Sequence, residues 1–155
     1  MRALAAGDPI EVRNPRATRP WQHVLEPLSG YLLLAEWLAS KSVTPNEAFN
    51  FGPTLESNQP VGKLVDTILS HWPGTWRDVS DPKAPHEANL LHLQIDKAYH
   101  CLGWQPRWDY ATTIGRTVAW YRAVCEGRSA FECCQADLSA YSTTPNQSTK
   151  EFNPS

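Results

Sequence analysis

Apolar residues recur at steps of three and four between Val24 and Leu38: Val24, Leu28, Tyr31, Leu32, Ala35 and Leu38. That period predicts a long amphipathic helix with one buried face, ending near Ser40 ahead of Thr44-Pro45-Asn46. Pro27 falls in its first turn, where a missing N–H costs nothing. Before the helix, Ile10 to Arg13 reads as a short strand. Met1 to Ala6 reads as the last turns of a helix stopped by Gly7, so the sequence is expected to begin inside an element whose N-terminal portion is missing. A second helix is expected from Pro60 to His71, with Val61, Leu64, Val65, Ile68 and Leu69 on one face and Trp72-Pro73-Gly74 as its stop.

Short strands are expected over residues 48–51, 75–79 and 90–95. Asp96 is expected to cap a short helix running through Leu102 and closed by Gly103. Asp109 is expected to cap a further helix with Ile114, Thr117, Val118, Tyr121 and Val124 inward, stopping at Gly127. From Arg128 the composition turns to Ser, Thr, Asn, Gln and Pro, which predicts a polar tail over 128–155, disordered from Ser139 to Ser155. The expected fold class is α/β, or α+β for this part in isolation: short strands, a small mixed sheet and about four helices over residues 1–127.

Composition narrows the function classes. With 155 residues, 41% of them hydrophobic, the chain can bury one core. A net charge of −2 excludes bulk electrostatic attraction to nucleic acid. Tyr31 to Ala39 is interrupted by Glu36 and is too short to span a bilayer. Cys101, Cys125, Cys133 and Cys134 form no C-x-x-C pair, and Met1 to Asp8 is too short and polar for a secretory signal, so a cytoplasmic protein with reduced thiols is expected.

The candidate chemistry lies between the first strand and the long helix, where Arg13, Arg16 and Arg19 share one loop. Guanidinium groups grip phosphate oxygens bidentately, and a helix N-terminus adds N–H donors and a positive dipole end, so this stretch reads as a polyanion site. Ordinary solvated loop charges are the equally weighted alternative. His86-Glu87 begins like a zinc-protease motif, but Leu90 stands where its second histidine belongs, so no metal is expected. His92 and His100 read as surface residues, and the tryptophans as packing groups.

Several runs carry a resemblance: Arg13-Asn14-Pro15, Arg19-Pro20-Trp21-Gln22-His23-Val24-Leu25-Glu26-Pro27-Leu28-Ser29-Gly30-Tyr31, Phe49-Asn50-Phe51-Gly52-Pro53, Pro85-His86-Glu87-Ala88, Leu102-Gly103-Trp104-Gln105-Pro106-Arg107-Trp108 and Thr117-Val118-Ala119-Trp120-Tyr121-Arg122. They resemble the CDP-glucose 4,6-dehydratases of the extended short-chain dehydrogenase/reductase family, over the C-terminal, substrate-binding lobe only. The resemblance implies that Arg19 holds the substrate diphosphate, that Arg13 lies near the nucleotide base, and that His86 and Glu87 approach the ribose and phosphate. It implies a lyase reaction with NAD in the whole enzyme, converting CDP-glucose to its 4-keto-6-deoxy form for deoxysugar synthesis.

No G-x-G-x-x-G and no Tyr-x-x-x-Lys occurs in this sequence, so no catalytic residue, no bound NAD and no turnover are expected of the chain alone. The expected partners are a CDP-sugar and a separately made N-terminal Rossmann half. Besides this half-enzyme, the sequence leaves open a non-catalytic CDP-sugar binding module and a non-functional truncated remnant.

Overall fold

The computed structural model describes residues 1–40, 46–81 and 91–145. The order of elements is α1 (Arg2–Ala6), β1 (Ile10–Val12), β2 (Thr18–Pro20), α2 (Leu25–Ala39), β3 (Asn58–Pro60), α3 (Val61–His71), β4 (Trp76–Asp78), α4 (Asp96–Leu102), α5 (Tyr110–Cys125) and α6 (Ala130–Thr143). β1 and β4 pair in parallel, Ile10 opposite Trp76. β2 and β3 pair antiparallel, Arg19 opposite Gln59. The class is the expected mixture of helices and short strands, with two two-stranded sheets in place of one mixed sheet.

Local chemistry accounts for most element ends. Gly7 and Gly103 close α1 and α4 at φ of 77° and 64°, a backbone region that only glycine enters freely. The Asp109 side chain accepts from Thr112 N at 2.8 Å and caps α5 as expected. At α4, Ile95 rather than Asp96 is the cap residue, and Asp96 opens the helix.

Three expectations change. Residues 48–51 and 91–95 form no strand, although they approach one another: Asn50 Nδ2 reaches Gln94 O at 3.3 Å, and Gln22 Nε2 takes the Phe51 carbonyl at 3.0 Å. Side-chain amides occupy the acceptors that a ladder would use, so the apolar run stays irregular. β2 and β3 carry a proline each, which hides them from strand patterning; both sit at sheet edges, where no ladder N–H is needed.

The third change is α6, which occupies the start of the stretch expected to be a disordered polar tail. Its signal is local, since Ser129 accepts from Glu132 N at 3.4 Å in a Ser-x-x-Glu start, and two buried anchors, Cys133 and Tyr141, hold it to the body. Residues 146–155 lie outside the described residues.

α3 packs on α5, α5 on α6 and α2 on α4. The core gathers Phe51, Ala98 and Trp104, with the Phe51 and Trp104 rings edge to face at 5.0 Å, and Leu34 and Leu102 against them. The Phe51 ring also lies directly on Gly30 of α2, where a Cβ would overlap it. Gly30→Ala is therefore expected to destabilise the chain by roughly 1–3 kcal/mol, despite the helix propensity gained, and denaturant titration checks this.

Candidate functional site

The phase of α2 decides the site. Its inward stripe is Glu26, Gly30, Leu34 and Trp37, while the apolar set expected to be buried faces solvent: Val24 is 62% exposed, Tyr31 56% and Leu32 74%. The period was legible, but the helix has two non-polar stripes, and a buried carboxylate selects which one turns inward. Glu26 is fully buried.

Its Oε1 accepts from Trp108 N at 2.8 Å and Arg107 N at 3.1 Å, and Oε2 from Arg107 N at 3.1 Å and the Tyr141 hydroxyl at 2.7 Å. Ser29 extends the network, receiving Trp104 Nε1 at 2.9 Å and lying 3.0 Å from the Tyr141 hydroxyl. Burial holds the Tyr141 phenol above its usual range; the Ser29 contact opposes this and Glu26 adds to it, so the phenol remains a donor. Residues 25–29, 102–108 and α6 are thus joined by one polar junction.

The arginine loop sits elsewhere, over the start of α3. Val61 N donates to Ala17 O at 3.0 Å and Gly62 N to Pro15 O at 2.8 Å, so carbonyls of the loop seat it on the first turn of that helix. Arg13 and Arg16 stand exposed on the loop. Arg19 is half-buried in β2, and its Nη1 donates to Thr18 O at 2.9 Å. The loop that carries Arg13 and Arg16 is thus held on α3, and Arg19 is held by the pairing of β2 with β3.

The donors expected from the start of α2 are largely in use: Leu25 N donates to His23 Nδ1 at 3.3 Å and Glu26 N to His23 O at 3.0 Å. His86 and Glu87 lie outside the described residues. Sequence reasoning passed over Glu26, Ser29, Arg107 and Tyr141. A glutamate on a helix face carries no signal of burial when its donors lie some eighty positions away.

A groove of about 600 Å³ lies between the start of α2, α5 and α6, lined by Val24, Leu28, Trp120, Tyr121 and Leu138, with His23 and Asp137 as polar groups. Arg13 and Arg19 are not part of its lining. Among the described residues no cluster of three His, Cys, Asp or Glu could hold a metal, and no helix is long and apolar enough to cross a membrane.

No protein-family model matches the chain. CDP-glucose 4,6-dehydratase of Salmonella typhimurium is 38% identical over 143 residues, 91% of this chain and 40% of that protein. dTDP-glucose 4,6-dehydratase of Streptomyces antibioticus is 30% identical over 126 residues, 79% of this chain and 33% of that protein. UDP-glucose 4-epimerase of Bifidobacterium longum, solved with NAD+ and UDP, has the same fold over 81% of this chain and 38% of its own, at TM-score 0.64 and 14% identity.

The UDP-glucose 4-epimerase of Stenotrophomonas maltophila, solved with NAD and formylated UDP-arabinopyranose, matches at TM-score 0.61 and 20% identity, covering 81% of this chain and 39% of its own. The chain is thus related in sequence to nucleotide-sugar dehydratases and shares the fold of the C-terminal part of these dehydratases and epimerases, spanning a third to two fifths of their length.

β1 runs into Arg13-Asn14-Pro15-Arg16 and β4 into Val79-Ser80-Asp81, neither with a glycine-rich turn of the kind that cradles a dinucleotide pyrophosphate.

Two substitutions test the junction. Glu26→Gln puts an amide NH2 against the Arg107 and Trp108 amide donors and is expected to cost about 1–3 kcal/mol. Tyr141→Phe removes one of several donors and is expected to cost about 1 kcal/mol. Urea unfolding of both variants checks the order.

Proposed function

We propose that this chain is the nucleotide-sugar-binding part of a CDP-glucose 4,6-dehydratase-type enzyme, acting together with an N-terminal half that binds NAD and carries the proton-transfer residues. The observation that carries this reading is the 38% identity along 91% of the chain to a protein of which it spans only 40%. In this reading Arg19 grips the diphosphate of a CDP-sugar, and Arg13 lies beside the nucleotide base. His86 and Glu87 approach the ribose and phosphate. A guanidinium fork matches a diphosphate oxygen pair, and pairing of β2 with β3 fixes the backbone that carries Arg19. The chain by itself turns nothing over, because the hydride carrier and catalytic base belong to the other half.

The exposed stripe of α2, Val24, Leu28, Tyr31, Leu32 and Leu38, supports a two-part enzyme over a free-standing binding module. A row of apolar side chains along a whole helix face is the mark of a surface that packs on something. The binding module, which holds a CDP-sugar without chemistry, remains the second reading, since the arginine loop is complete within this chain.

Calorimetric titration with CDP, with UDP and dTDP as controls, tests the pocket. CDP-preferring binding is expected, weakened about tenfold or more in Arg19→Ala, the loss expected of one charge-assisted pair. Absence of binding by a folded chain overturns the free-standing module. A second test mixes the chain with the N-terminal part of the Salmonella relative and follows NAD-dependent consumption of CDP-glucose. Leu32→Glu is expected to abolish that consumption while leaving the chain's own melting temperature unchanged, because Leu32 is 74% exposed. Full activity of the variant overturns the docking face.

A further inference from the structure

His23 stands at the wall of the 600 Å³ groove, only 7% exposed, where α2, α5 and α6 meet. Its Nδ1 accepts the Leu25 amide at 3.3 Å, a bond that requires a lone pair on that nitrogen and hence a neutral ring protonated on Nε2. Nε2 points to Asp137 Oδ2 of α6 at 4.0 Å. Arg116 of α5 faces the same carboxylate, Nη1 to Oδ1 at 3.5 Å, and lies over the Trp108 ring at 5.5 Å. The Trp108 and His23 rings lie edge to face with centroids 4.8 Å apart. Glu26, the acid in the first turn of α2 after His23, has its carboxylate turned to the amides of residues 107 and 108.

We propose that His23 is a proton-sensitive pin: a proton on Nδ1 breaks the bond to Leu25, releases the start of α2 and opens the junction of α2, α5 and α6 around the groove. This inference does not depend on the function proposed above. The direction follows from the surroundings. Burial opposes the imidazolium most; Asp137 favours it, and Arg116 opposes it, with the balance setting His23 below its ordinary value of about 6.5.

The unfolded chain, with an ordinary histidine, then binds the proton more readily than the folded one. The stabilisation is present above the ordinary histidine value and is lost as pH falls through the lowered one. A protonated His23 leaves Asp137 shared between two cations.

Melting temperature followed from about pH 7.5 to about pH 5 reads this out. The wild-type chain is expected to lose stability toward acid, with a parallel rise in binding of an apolar fluorescent dye. His23→Gln, which cannot gain the charge, is expected to flatten the slope. Asp137→Asn is expected to steepen it, since the imidazolium then meets Arg116 without its anion. A purely structural histidine would lower stability at every pH and leave the slope unchanged. An unchanged slope in His23→Gln overturns the proposal. So does an NMR titration of the wild-type His23 ring with a midpoint at or above the ordinary value, and that reading stands alone should the variant not fold.

Discussion

A carboxylate without access to water has to be hydrogen-bonded by the protein, and in this lobe that carboxylate is Glu26. An ionised carboxylate in an apolar surround carries a cost far above any single packing gain, and only well-placed donors offset it. Two amides of one connector and a phenol from α6 supply them. Once Glu26 points inward, Gly30 and Leu34 follow one and two turns later. Gly30 has to be glycine because Phe51 lies on it. The core ring pair of Phe51 and Trp104 is therefore tied to the same choice, as is the outward turn of Leu28, Tyr31 and Leu32.

The arginines proposed to bind the anion sit apart from this junction. Arg13 and Arg16 lie on the connection between β1 and β2, which rests on the first turn of α3 through its own carbonyls, and Arg19 follows in β2. The runs that carry the family resemblance thus divide into two kinds. Leu25-Glu26-Pro27-Leu28-Ser29-Gly30 and Trp104-Gln105-Pro106-Arg107-Trp108 meet at the buried junction and hold the lobe together. The arginine loop presents charge. Sharing a motif is thus no measure of sharing a binding role: Glu26 is a framework residue whose loss would act through stability.

His23 lies between the two regions and belongs to both in part. Its carbonyl and ring nitrogen take the first donors of α2, which a phosphate would otherwise have found free. The ring also lies beside the Asp137 and Arg116 pair that links α6 to α5. Helix N-termini attract anions only where the sequence has not already supplied an acceptor, and a histidine two residues ahead of the helix supplied one.

What the sequence by itself determined was everything set by neighbours: the periods of α2, α3 and α5, the glycine ends at Gly7 and Gly103, the Asp109 cap and the clustering of three arginines in one loop. α6 was legible too, in Ser129 and Glu132, but its mostly polar surface masked it behind two buried anchors. What only the tertiary structure decided was which face of α2 turns inward, whether 48–51 and 91–95 pair, and which helix the arginine loop rests on. Period is a property of adjacent residues, whereas phase depends on partners distant in the chain. A helix with two apolar stripes has no preferred phase until a buried group such as Glu26 finds its donors, and those come from residues 107, 108 and 141.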